Sequence, residues 1–234
     1  MRKFFLLLIV PLVLIGAARD VRDGSHHSQH LLGDAFEDLH EHILLGHVPG
    51  AFTVTKFGYN AAITGAPEES VWDSPDLGGP LRCNTVITDS AAALEISSSH
   101  ADDTTKIIVI EGLDANWEMQ TVTVALGIPA ATTGTIYTSA GTWMRVNRMY
   151  TIFGDLLGDV YLHNDPNADT GTDGIPDVPL TQIVAVITAG ENQTLQACYA
   201  VPADYVAVLT EMCVTNGIEA GANPIDFRIR QTDN

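Results

Sequence analysis

Lys106-Ile107-Ile108-Val109-Ile110-Glu111-Gly112-Leu113-Asp114-Ala115-Asn116-Trp117-Glu118-Met119-Gln120-Thr121-Val122-Thr123-Val124-Ala125-Leu126 is the stretch on which the fold turns. Lys106 to Glu111 is a β-branched run and reads as a strand. Gly112 to Asn116 supplies the Gly, Asp and Asn of a turn. From Met119 onward, Thr121, Thr123 and Ala125 alternate with Val122, Val124 and Leu126. A period of two marks a returning strand with one face buried.

The same texture extends in both directions from residue 51 onward: short runs of Val, Ile, Thr and Tyr, broken by Gly, Pro, Asn and Asp. Trp143–Phe153, Gly158–Leu162, Gln182–Thr188, Thr194–Val201, Tyr205–Thr215 and Ile225–Arg230 are further strand candidates, and Ser90–Ser99 reads as strand or helix. Many strands joined by short turns predict an all-β fold, a β-sandwich or jelly-roll body over residues 51–234.

The 234 residues carry 11 Lys+Arg against 29 Asp+Glu, a formal net charge of −18. At 46% hydrophobic and 17% charged residues, the chain is able to bury a sizeable core. Such an acidic balance argues against a protein that tracks nucleic-acid phosphates, and no nucleic-acid partner is expected.

The N-terminus has its own character. Arg2 and Lys3 precede an almost unbroken apolar run from Phe4 to Ile15, interrupted by Pro11 and followed by Gly16-Ala17-Ala18. This is the layout of a secretory signal peptide, and residues 1–18 are read as a signal or apolar anchor. Cleavage after Ala18 would take the net charge to about −20. Residues 19–50 read as a His-rich helical arm, with Leu32, Phe36, Leu39 and Ile43 on one face and Pro49-Gly50 as the stop. Six of the eight histidines lie between His26 and His47; His26 and His30 have the spacing of a metal pair, but a solvated arm accounts for the run better.

Asp165, Asn167, Asp169, Asp173 and Asp177 form an oxygen-rich, Gly-containing loop, a candidate calcium site. It fails as an EF-hand, because the twelfth position from Asp169 is Leu180. Asp173-Gly174-Ile175-Pro176-Asp177 is similar to one unit of a thrombospondin type-3 calcium repeat. Calcium is the only cofactor suggested, and an unliganded surface loop is the plainer reading.

Arg145 and Arg148 are two cations in an acidic chain, candidates for contacts with a neighbouring copy or for pairing within the chain. Asp102, Asp103, Glu111 and Asp114 include no pair with glycosidase spacing and read as exposed turn residues. No GxSxG, P-loop, GxGxxG or CxxC occurs, and an enzyme is not expected. Thr194–Val201 and Tyr205–Thr215 would form a hairpin about Pro202-Ala203-Asp204. That register separates Cys198 from Cys213 by about 13 Å, beyond the ~7 Å a disulfide spans. Buried free thiols are expected, with Cys83 pairing to one of them left open.

Four sets of segments carry a resemblance. They are Gly46–Gly50 with Lys56-Phe57-Gly58-Tyr59-Asn60 and Val71-Trp72-Asp73; Ile110–Asn116 with Thr121–Val124; Met144–Met149; and Gly190–Leu195 with Tyr199–Ala203. In this order, over about residues 46–215, the chain resembles a group of predicted virion structural proteins of tailed bacteriophages common in aquatic phage genomes. The resemblance implies a β-rich particle component in many copies, with copies of itself and other particle proteins as partners. Residues 1–18 depart from it, since such proteins assemble without export. Export to the cell surface, a particle touching membrane through residues 1–18, and a domain reused by a cell are the readings that accommodate the departure. In place of the usual Val-Pro-Ala-Gly turn, the chain has Val201-Pro202-Ala203-Asp204, and a slightly different turn is expected. The rival reading is a secreted or surface-anchored binding module, stabilised by calcium.

Overall fold

A computed structural model describes residues 6–16, 41–60, 71–72, 90–126, 138–164, 174–176, 183–216 and 229. The fold is all-β. The strands are β1 (Leu6–Gly16), β2 (Ala51–Tyr59), β3 (Ala92–Ser98), β4 (Ile107–Leu113), β5 (Met119–Ala125), β6 (Thr138–Trp143), β7 (Arg145–Thr151), β8 (Val160–His163), β9 (Ile183–Ile187), β10 (Tyr205–Leu209) and β11 (Cys213–Asn216). Every pairing among them is antiparallel.

Two sheets make a sandwich, one ordered β6-β3-β8-β9 and the other β5-β4-β7. The hairpin expected around Asp114 forms, with Ile107 opposite Ala125 and Leu113 opposite Met119. Leu94 and Ile96 of β3, Ile108 and Ile110 of β4, Val124 of β5, Trp143, Met149 of β7, Val160 and Leu162 of β8, and Ala185 and Ile187 of β9 share one core. Each large apolar side chain buried there contributes roughly 1.5–3 kcal/mol. Strand β8 is buried on both faces. Its Tyr161 points to a second cluster with Trp72, Ile183 and Val186, against which Ile175 packs.

The third sheet is built differently. β1 lies at its centre, with β2 on one edge from Leu7 opposite Tyr59 to Ile15 opposite Ala51. The other edge is shared: β10 takes Leu12–Gly16 and β11 takes Leu6–Ile9. Val10 and Pro11 fall in the gap between β10 and β11. Pro11, which has no N–H to give a ladder, thus lies where one edge of β1 is unpaired, with Thr55 opposite it on the other. The apolar run whose layout suits a signal thus has a place as a strand in the folded chain.

Several expectations are corrected. Ser90–Ser99 resolves as strand β3. Thr194–Val201 is not a strand but a connector, touching Trp72 through a bridge at Gln196, with a second bridge just before it from Gln193 to Tyr150. Tyr205–Thr215 splits into β10 and β11, and both pair with β1 instead of forming the expected hairpin. Of the helical arm, residues 41–44 form a single helical turn whose Ile43 is buried, and residues 17–40 lie outside the described residues. Cys198 and Cys213 are not bridged to each other, as the register expects, but they are not buried free thiols either: Cys198 is disulfide-bonded, and Cys213 is free but exposed. Cys83 lies outside the described residues.

Candidate functional site

Several residues of these segments, scattered in sequence, meet where the β1 sheet joins the sandwich: Lys56, Tyr59, Val71, Asn147, Met149, Leu195 and Ala200. β7 brings Asn147 there through a bulge. Glu111 faces Arg148 and Gly112 faces Val146, so Asn147 is the extra residue. Its carbonyl accepts a hydrogen bond from the Lys56 ammonium of β2. Its side-chain amide clasps the backbone of Ala200, donating to the carbonyl at 3.0 Å and accepting from the N–H at 2.7 Å.

The 190–203 connector threads between the two halves. On one side Thr194 N–H donates to Met149 O and Thr151 N–H to Asn192 O, both at 2.9 Å. On the other, Tyr59 N–H donates to Leu195 O at 3.1 Å and Ala197 N–H to Val71 O at 2.9 Å. Gly58 is required for this approach: a Cβ there would lie 2.5 Å from Val71 O and 2.8 Å from Ala197 N. Gly112 plays the same part opposite the bulge, where a Cβ would stand 2.1 Å from Arg145 O.

The charges are arranged around this seam. Lys56 is 6% exposed, and its pKa is lowered from 10.5 to about 7, first by burial and then by the nearby Arg148 charge, with Glu111 opposing. Tyr199 is pushed up to about 12 by burial, Glu111 and Tyr205. Tyr150 is raised by burial first and then by the charge of Glu111, to which it also hydrogen-bonds. The Arg148 guanidinium stacks on Tyr150 at 4.5 Å and donates to Gln193 Oε1 at 2.7 Å. Arg145 is buried, donates to Met144 O at 2.7 Å and lies 5.1 Å from the Trp117 ring. Both candidate intersubunit arginines are therefore engaged inside the chain.

Trp117 is itself unusual, a bulky residue at φ 62° in the β4–β5 turn. Asp114 Oδ1 holds that turn by accepting from Asn116 and Glu118 N–H at 2.8 and 3.0 Å. The Trp117 carbonyl accepts from Ala203 N–H at 2.8 Å, tying the hairpin to the Pro202 turn. In that turn Asp204 takes the left-handed position at φ 64°, and Tyr205 N–H closes it onto Pro202 O at 3.3 Å. Asp204 thus holds a left-handed conformation that glycine would adopt at less cost.

A second polar cluster lies at the far side of the sandwich. Asp103, expected as an exposed turn residue, is fully buried in a 3-10 turn (Ala101–Thr105). Its carboxylate accepts from Ser98 Oγ at 2.8 Å and from Leu157 and Gly158 N–H at 3.0 Å each. Asp159 extends the cluster, accepting from Ala189 N–H at 2.7 Å and Tyr161 Oη at 3.1 Å. Asp102 is exposed, as expected.

The five candidate calcium ligands, Asp165, Asn167, Asp169, Asp173 and Asp177, lie outside the described residues. Among the described residues, no group of three or more His, Cys, Asp or Glu is arranged to hold a metal. Of the histidine run, His42 and His47 meet, with their Nδ1 atoms 3.1 Å apart on an exposed surface. Sequence reasoning missed Lys56, Asn147 and Asp103 as key residues. The first two lie in segments that carry the resemblance, and Asp103 is among the carboxylates read as exposed turn residues. No family model, curated protein or solved structure matches this chain.

Proposed function

We propose that this chain is a non-enzymatic structural protein of a phage-like particle, a capsid, decoration or tail-associated component that works through repeated contacts between copies. One observation carries the reading. Residues from several of the segments that resemble virion proteins share one internal seam, and there Lys56, Asn147, Arg145 and Arg148 bond to backbone and side chains of the same chain. Buried side-chain bonds of this kind fix one arrangement of the subunit. The acidic exterior keeps an assembly of many such subunits soluble, and outward-facing Phe153, Leu157, Val206 and Leu209 are available for subunit contacts.

The test is to purify the native assembly and map its peptides by mass spectrometry. Abundant chain in sedimenting particles is the expected result. The chain found only in soluble or envelope fractions, starting near Arg19, would overturn the reading.

A second reading, a secreted or surface-anchored binding module, is favoured by the bonded state of Cys198, since disulfides persist in oxidising compartments. On that reading cleavage after Ala18 would remove β1.

A further inference from the structure

We infer that β1 is an exchangeable strand: in the assembled state, residues 6–16 of one copy fill the slot between β2 and β10/β11 of a second copy. The inference rests on the structural-subunit reading and names the contact that reading requires.

Three observations support it. First, among the described residues β2, β10 and β11 each pair with β1 and with no other strand of that sheet. The sheet exists only while a strand occupies the slot, and any copy's Leu6–Gly16 completes it equally well. Second, β1 and β2 are antiparallel neighbours with Ile15 opposite Ala51, yet Gly16 and Ala51 are separated by 34 residues. A hairpin needs only two to five residues. Setting aside the helical turn at 41–44, the 24 residues 17–40 alone could span up to about 80 Å if extended, more than reaching an adjacent subunit requires. Third, Leu6–Gly16 holds no charged residue in a chain of net charge −18, so it enters a neighbour without adding repulsion. Main-chain ladders on both edges supply the affinity, as in other strand-addition contacts. Exchange of an identical element between copies is a low-cost route to assembly.

The test uses the full chain carrying Val13→Cys and Thr53→Cys, two residues that face each other across β1 and β2. Cys213, which is free, is changed to Ser. Nitrogen-14 and nitrogen-15 copies are mixed one to one, unfolded, refolded together and oxidised. Exchange predicts covalent multimers, with about half of the disulfides between positions 13 and 53 joining light to heavy chains. Linkages confined to single chains in a particle that still sediments would overturn exchange and leave the structural-subunit reading standing. A wholly monomeric protein would overturn that reading and the exchange with it. No disulfide between the two positions in a protein of native β content would place β1 elsewhere and also defeat the inference. As a control against misfolding, a chain locked by oxidation while monomeric should not assemble until reductant is added.

Discussion

The sandwich and the β1 sheet are both antiparallel and both rich in apolar residues, yet they are held together in different ways. In the sandwich, β4 pairs with β5 across a five-residue turn, Asp114–Glu118, and β7 follows β6 after Met144 alone. Their side chains close on one shared core. In the β1 sheet, among the described residues, the flanking strands meet only through the strand between them. Local pairing with a packed core makes a unit that stands or falls as a whole. A sheet keyed by one distant strand can open while the rest stays folded.

The largest expected effect tests the sandwich. Trp143 is fully buried, and its indole N–H donates to Ala140 O at 2.6 Å. Trp143→Ala should cost about 3–5 kcal/mol, and amide-exchange protection should fall in both halves together. Next comes the key strand. Val13 has a partner on each side, Thr53 and Val208. Its N–H is therefore used whichever edge it faces, and Val13→Pro should cost on the order of 2–3 kcal/mol. Exchange should accelerate in residues 51–59 and 205–216 while β3–β9 keep their protection. Equal loss everywhere would erase the distinction between the two regions.

The seam supplies a pH test. Unfolded Lys56 holds its proton up to 10.5, whereas folded Lys56 releases it at about 7. Between those values the unfolded state binds the extra proton, so stability should rise with pH and be lost as pH falls towards 7. The contribution is on the order of a few kcal/mol at most. Tyr199, raised to about 12, has the opposite effect: its stabilising contribution is present below 10 and lost above it. Urea midpoints from pH 7 to 10 should climb, and Lys56→Gln, which keeps a donor but cannot titrate, should flatten the climb. The smallest effect concerns β11. Cys213 donates to Glu211 at 3.3 Å, and that bond, followed by the Glu211 charge, raises the thiol pKa. Alkylation of Cys213 should be slow at pH 8 and faster in Glu211→Gln, while Cys198 reacts only after reduction.

Residues whose role is local were legible. The alternation from Thr121 to Leu126 and the turn at Asp114 determine the β4–β5 hairpin without help from elsewhere. Residues 6–16 were not legible as a strand, because leucine, isoleucine and valine in a row suit a signal segment as well as a buried strand. What makes them a strand is the presence of β2, β10 and β11 far along the chain. The 190–203 connector looked like a strand, but its bonds go to several different segments in turn. Asp103 looked like a surface residue because nothing in its neighbourhood announces the Leu157 and Gly158 amides that bury it. Lys56 is one of only three lysines, and its burial depends on a bulge 91 residues away.

The pairing of Leu6 with Asn216 also sets an order of events during translation. β1 leaves the ribosome before any of its partners, and its last partner follows about 200 residues later. At ordinary elongation rates that is an interval of about 10–40 s. For most of it, this uncharged segment has β2 as its only native neighbour, and its second edge stays open until β10 and β11 are made. The nascent chain should therefore depend on a holding chaperone, or on the complete strand of a finished neighbour, until its own C-terminal strands emerge.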